Sequence, residues 1–508
     1  MPIDYKPHIG KTVIETLTMG MYEDPLIIYR EYVQNAADQI DIAFEEGILK
    51  KKSDGKISIS VNNAAKSIEV SDNATGITAK SVLSFLGDVA NSEKDETERK
   101  GFRGIGRLGG LGYCEKLIFK TSARGENIQS IMTLDAKMLK RLLLNRDEKM
   151  DAATVISVIT DVTTKKEILD RHYFVVIMEN VTNSALLNIE TVRNYLKMVA
   201  PVPFNPKFTF ADEIEQHFSK NNIIFDEYNV EVNSERLFKG YNNKIVEENE
   251  TSTIVGIDYF AIRSRSRSLL ALGWVGYRDL SNIVLGDQVV EKGIRIRKNN
   301  IQIGSNTTLN RFFPASRTNQ RFVGELHVLG PGFIPNARRD YFIDNATCSE
   351  FETLLIEVLK NAKYENIIAH TASLISTRIA TIEKYREDAN NLQTKMGKFR
   401  STAEETAETE KVNLSKEKAE KASKELQKLK GKSKEDRRVQ NLYTNLTAGK
   451  RLDIPGFNLR PTIYDPPQFK KLKPSEVEIV KIIFSIIEKE LDVEDSENLK
   501  RKIIEKFN

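Results

Sequence analysis

The chain has 508 residues, 40% hydrophobic and 29% charged, long enough for two to four domains. Its 76 Lys and Arg nearly balance 72 Asp and Glu, so a net charge of +4 excludes a uniformly basic, polyanion-coating protein and leaves any basic surface local. Two distant cysteines, Cys114 and Cys348, exclude a disulfide scaffold, and the five scattered histidines argue against zinc; with no apolar run near ~18 residues and no apolar signal core at the start, the expectation is a reduced, cytoplasmic protein without membrane contact.

From Pro25 to Glu46, Ile28, Tyr32, Ala36, Ile40 and Phe44 recur at helical spacing. Two strands follow, Ile57–Val61 and Ser67–Val70, around a turn at Asn62 and Asn63. A helix is expected over Thr78 to Ala90, then a charged stretch over 91–103 without apolar period. Further strands are predicted over Leu117–Thr121 and Tyr173–Met178. A proline-rich break, Pro201, Pro203 and Pro206, suits a domain boundary. Strand-rich chain then runs to about 360, through 253–262, 270–279, 293–303 and 322–330. From Glu365 onward Ile375, Ile379, Ile382, Tyr385, Ala389, Leu392, Met396 and Phe399 recur in steps of three or four, the seam of a coiled coil or of a long helical hairpin. Residues 401–440 are rich in Lys, Glu and Ala, and apolar helices close the chain from Pro474. The expected domains are 1–200, 201–360, a helical arm over 361–440 and a helical domain over 441–508.

Three motifs carry chemistry. Glu31, Asn35 and Asp38 fall at i, i+4 and i+7, so one helical stripe presents a carboxylate, an amide and a second carboxylate. A carboxylate can deprotonate water, and an amide oxygen can complete a Mg2+ shell; the solvated face of a surface helix reads the same way. Asp72 follows a strand and precedes Gly76, an acceptor for an exocyclic amine beside backbone that can approach a flat ring, or else a plain turn. Six glycines stand in the twelve residues after Lys100, among them Gly104 and Gly106, as in a backbone cradle for phosphates or a flexible loop. The segment lacks the Lys-Ser or Lys-Thr of the P-loop.

The order of these motifs resembles the GHKL family, which includes gyrase, the ninety-kilodalton heat-shock chaperones, MutL and histidine kinases. The resemblance implies an α/β fold with a GHKL (Bergerat) ATP-binding sandwich, here followed by a second, transducer-like α/β domain and a C-terminal helical or coiled-coil region. It implies ATP and Mg2+ as ligands. Glu31 would activate the attacking water, Asn35 would hold Mg2+, and Asp72 would meet the adenine amine above Gly76. Asp38, Arg103, Gly104, Ile105 and Gly106 would complete the nucleotide contacts. Ala74 departs from the family's first glycine box. The presence of Glu31 argues for an ATPase and against a histidine kinase. The run Phe85–Ser92 resembles the chaperone branch, in which such a helix end opens into a lid, here about 91–103.

In the second domain, Ile334 to Asp340 holds adjacent Arg338 and Arg339, and forked guanidinium donors suit a γ-phosphate. The chaperone-like branch implies Arg339 for that role, with Arg338 as the alternative. Local basic features are Arg263, Arg265 and Arg267, the run Arg295, Arg297 and Lys298, and residues 411–440 with eleven Lys or Arg against five Asp or Glu. The expected function is a chaperone-like or MORC-like ATPase that closes a lid and forms a homodimer, partly through the helical seam, around a protein client or partner subunit. The alternatives are a DNA-directed clamp, with nucleic acid as partner, and an ATP-sensing scaffold.

Overall fold

The computed structural model describes residues 9–18, 20, 22, 24–88, 106–145, 149–247, 251–278, 284–313, 315–360, 370–396, 399, 402–433, 437–456 and 467–507. The predicted lid over 91–103 lies outside them. The chain divides into two compact units, Met1–His370 and Thr371–Asn508.

Strict alternation builds the first sheet. Ile57, Ile59 and Val61 of β1 (Lys56–Asn62) and Ile68 and Val70 of β2 (Ser67–Asp72) point to one buried face, as side chains must at a period of two. The sheet adds β3 (Lys116–Ser122), β4 (Ile128–Asp135), β5 (Thr160–Lys166), β6 (Tyr173–Glu179), β7 (Asn229–Val232) and β8 (Glu235–Arg236). Its order is β5-β4-β3-β6-β2-β1-β7-β8, antiparallel except where β7 joins β1 in parallel. The sheet thus draws its last two strands from beyond the proline-rich break. The helix Ile27–Glu45 buries Ile28, Tyr32, Ala36 and Ile40 in this core. Phe44, expected on that stripe, is 46% exposed, because the chain ends the helix one residue later and turns away through Gly47. The helix expected over Thr78–Ala90 is shorter, Val82–Gly87, entered through a turn at Thr78–Ser81.

The second sheet comprises β9 (Lys244–Val246), β10 (Thr251–Arg263), β11 (Leu269–Arg278), β12 (Gly293–Lys298), β13 (Ile301–Ile303) and β14 (Val323–Val328), ordered β13-β12-β14-β11-β10-β9. Its core is aromatic: Phe204, Phe208, Tyr241 and Trp274 pack with ring centroids 5.0–6.1 Å apart. Behind it lies a buried ionic cluster. Glu325 accepts from Lys239 Nζ at 2.8 Å, from Arg297 Nε and from His327 Nε2 at 3.0 Å. Arg297 also donates to the Met198 and Asn300 carbonyls, tying this sheet to the helix Ile189–Val199. Arg295 and Arg297, expected among the basic surface features, are therefore internal. Glu325 neutralises Arg297, and Arg295 is held by Gln302 and the Val290 carbonyl.

Burial holds the His327 imidazole down to about 4, against a weaker upward pull from Glu325 and a downward one from Lys239 and Arg297. An ordinary unfolded histidine titrates near 6.5. Between those values the unfolded chain binds more protons, so stability is full above about 6.5 and falls with pH until about 4. Urea unfolding followed by Trp274, the single tryptophan, should show a loss of about 2 kcal/mol at pH 5 relative to pH 7.5 from this group. The His327→Gln variant should lack that component; an identical pH slope in the variant rejects the assignment.

The second unit is helical. His370–Lys395 runs antiparallel to Thr402–Ser433, with Arg378 paired to Glu425, Asp388 accepting from Ser415, and Lys395 near Glu408. Ile375, Ile379, Ile382, Tyr385, Ala389 and Leu392 are buried, as are Val412, Ala419, Ala422 and Leu426 of the second helix. Of the two arrangements the seam allowed, the hairpin is formed, and the chain's own second helix covers the surface expected to join two copies. The helix Pro474–Glu490 buries Val480 and Phe484 against Phe469. Among the described residues no helix is long and apolar enough to cross a membrane.

Candidate functional site

The helix Ile27–Glu45 is anchored through two tyrosines in its first two turns. Tyr29 Oη donates to the Leu186 carbonyl at 2.6 Å, and Tyr32 Oη donates to the Arg107 carbonyl at 3.3 Å while accepting from Gly110 N at 3.2 Å. These bonds dock the glycine-rich segment, a 3-10 turn over Gly106–Gly112, onto the helix. Burial pushes the phenols of Tyr29 and Tyr32 up, so both stay neutral and keep these bonds at physiological pH.

The predicted polar stripe is buried, not solvated: Glu31 is 4% exposed, Asp38 1%, and Asn35 is half-buried. Glu31 has two distinct sides. A Cβ on Gly106 would lie 2.3 Å from Glu31 Oε2, so one oxygen faces the glycine turn and would have to shift for any side chain there. The other oxygen, Oε1, accepts from Arg339 Nε at 2.8 Å and lies 3.5 Å from an Arg30 guanidinium nitrogen. Arg30 also reaches the Arg339 carbonyl at 3.5 Å.

Arg339 comes from a tight turn closed by a bridge between Pro335 and Phe342 and by Asn336 N donating to the Tyr341 carbonyl. Its backbone is left-handed, φ +56, a conformation that costs a non-glycine residue free energy and that clusters at functional sites. Gly304 N donates to its carbonyl at 2.9 Å and fixes the turn on the second sheet. Of the two candidate arginines, Arg339 points to Glu31 and is buried, whereas Arg338 is exposed.

At the other end of the helix lies a second cluster. Asp72 is buried and accepts from Ala74 N at 3.0 Å. Ala74 is fully buried, its carbonyl 2.6 Å from His172 Nδ1, so only a small residue fits where the family pattern has glycine. Gly76 has φ +66, and a Cβ there would come within 1.9 Å of the Ser122 carbonyl oxygen. Ile77 N donates to Thr121 Oγ1 at 2.8 Å, which places a strand hydroxyl beside Gly76. Sequence reasoning left Thr121 and Arg30 out; Thr121 sits in an ordinary strand pattern, and only its adjacency to Glu31 marked Arg30. Thr75 Oγ1 donates to Gln39 Oε1 at 2.7 Å and joins this loop to the helix. Arg103, Gly104 and Ile105 lie outside the described residues.

The donor set bears on magnesium. Among the described residues no group of three His, Cys, Asp or Glu side chains is placed to hold a metal. The half-buried Asn35 amide, one turn from Glu31, offers a single hard oxygen. That suits a Mg2+ ion arriving with nucleotide phosphates and keeping its own waters, not a resident metal.

A sequence model of the family described as "Histidine kinase-, DNA gyrase B-, and HSP90-like ATPase" matches residues 32–166. The chaperone protein HtpG of Polaromonas naphthalenivorans is 25% identical over 130 residues, covering 22% of this chain and 21% of that protein. HtpG of Buchnera aphidicola is 26% identical over 172 residues (27% and 28%), and HtpG of Halalkalibacterium halodurans 29% over 132 (23% and 21%). The matches span between about a fifth and somewhat over a quarter of these relatives. With the first sheet, its helical cover and the order of the motifs, they show that the chain carries a GHKL-type ATPase domain, near the Hsp90-like branch of that superfamily.

Proposed function

We propose that the chain binds and hydrolyses ATP at the Glu31 site and uses the cycle as a chaperone-like conformational machine. The observation that carries this reading is the contact of Glu31 with Arg339, a residue 308 positions later on a different sheet's turn. Asp72 accepts the adenine amine, with Gly76 and Thr121 lining the base. Gly106 and its neighbours pass backbone N–H groups to the phosphates. Asn35 would hold Mg2+, which would neutralise phosphate charge. Arg339 turns its remaining donors to the γ-phosphate, which loosens its hold on Glu31. The freed carboxylate takes a proton from water as the water oxygen bonds to the γ-phosphorus, and the bond to the ADP oxygen breaks. Asp38 supports the stripe from the buried side.

Because Glu31 stands on a helix packed in the core of the first sheet and Arg339 on a turn fixed to the second, nucleotide occupancy couples to their relative position, the property that a lid-closing, dimerising machine requires. Dimerisation, a protein client and a cytoplasmic setting belong to this proposal by similarity to the HtpG relatives. The nucleic-acid alternative loses Arg295 and Arg297, which are internal, and retains Arg263, Arg265 and Arg267 at an exposed hairpin tip. Full-length protein should release ADP and phosphate from ATP only with Mg2+ present. Its solution mass should double with a non-hydrolysable ATP analogue. Mg2+-independent turnover, or none, rejects the reading; a mass unchanged by the analogue rejects its dimer.

A further inference from the structure

A cavity of about 780 Å³ lies beside the two arginines that contact Glu31. It is walled by the first turn of the helix Ile27–Glu45, the helix Ile189–Val199, strands β12 and β13 and the turn carrying Arg339. Arg30 and Arg339 line it and also touch Glu31 Oε1, so these two guanidinium groups link the cavity to the carboxylate. The cavity is cationic where it is deep. Arg30 is 3% exposed and its Nε has no hydrogen-bond partner; Arg295 is 6% exposed and its Nε likewise has none. Burial lowers Arg295 to about 10, which leaves it charged at neutral pH. The helix Ile27–Glu45 adds its positive end, with no acidic residue in the first turn and no side-chain cap. Acidic lining is confined to exposed residues that are already engaged: Asp24 by Leu26 N, Asp287 by Lys292 and Asp340 by Asn336. Buried unpaired guanidinium N–H groups are costly unless a ligand satisfies them.

Resting on the ATPase reading above, we infer that this cavity is an anion site and exit route for the inorganic phosphate cut from ATP. The product leaves past Arg339 and Arg30 toward Arg295, away from the nucleotide's base. The phosphate is formed next to Glu31, where Arg339 already stands. It moves along a row of guanidinium groups, of which Arg30 and Arg295 each keep an unpartnered Nε to offer its oxygens. ADP, held by Asp72 at the far end of the helix, need not leave first.

Single-turnover kinetics on the full chain test this, with cleavage followed by acid quench and free phosphate by a fluorescent phosphate sensor. Two variants stand outside the catalytic groups: Arg295→Gln removes a deep charge, and Ser305→Trp fills the exposed rim without touching the core. In each, phosphate release should lag about tenfold further behind cleavage than in wild type, in Arg295→Gln through one lost charge-assisted bond and in Ser305→Trp through the filled rim, while cleavage keeps its rate. Release keeping pace with cleavage in both variants overturns the exit route and leaves the ATPase reading standing. Absence of cleavage in wild type overturns that reading and this inference with it.

Discussion

Glu31→Ala is expected to lower ATP turnover about a thousandfold while leaving nucleotide affinity within a few-fold. Loss of a positioned general base costs about 10²–10⁴ in rate, and nothing in the base-binding cluster around Asp72 depends on this carboxylate. The helical stripe offers no adjacent substitute. Asp38, the next carboxylate on the stripe, is seven residues along, about 10 Å by helical rise. Steady-state phosphate production, with affinity measured separately, checks both halves. Turnover within tenfold of wild type removes Glu31 from the mechanism; a parallel collapse of affinity makes it a binding residue.

Arg339→Ala is expected to cost two things. Turnover should fall about 10²–10³-fold, as when a charge-stabilising donor is withdrawn from the transition state. Stability should also fall, by about 3 kcal/mol, because a buried carboxylate loses its 2.8 Å partner and keeps, among the described residues, Arg30 at 3.5 Å. The two losses separate in the double variant Glu31→Gln, Arg339→Ala. Neutralising the carboxylate should restore the urea midpoint without restoring turnover. Arg338→Ala, at an exposed position, should leave both within a few-fold. If Arg338→Ala gives the larger loss of turnover, the assignment of the two arginines reverses.

Much of the site was legible because its parts are local. The spacing of Glu31, Asn35 and Asp38 depends only on helical period, and Asp72 and Gly76 sit in one turn after a strand whose alternation is plain. Distant partners were not legible. Nothing near Gly106 says that its missing side chain makes room for Glu31, and nothing near Arg297 says that Glu325 and the Met198 carbonyl will take its charge inside. A strand-like run of arginines reads as surface until its counter-charge is found elsewhere in the chain. Likewise β7 and β8 complete the first sheet from beyond a proline-rich break, since pairing with β1 is a tertiary choice. In the helical unit, periodicity defined the seam but not its partner; the Arg378–Glu425 pair and the Ser415–Asp388 bond show that the partner is the same chain.

The central claim is that this chain binds ATP through the Asp72 and Gly76 cluster and the glycine turn opposite Glu31. Equilibrium titration of Mg-ATP into the full-length Glu31→Ala protein, which holds the nucleotide uncleaved, tests it most directly. The account predicts saturable binding of one nucleotide per chain, abolished by adding Asp72→Asn. No saturable binding, or binding indifferent to Asp72→Asn, would contradict it.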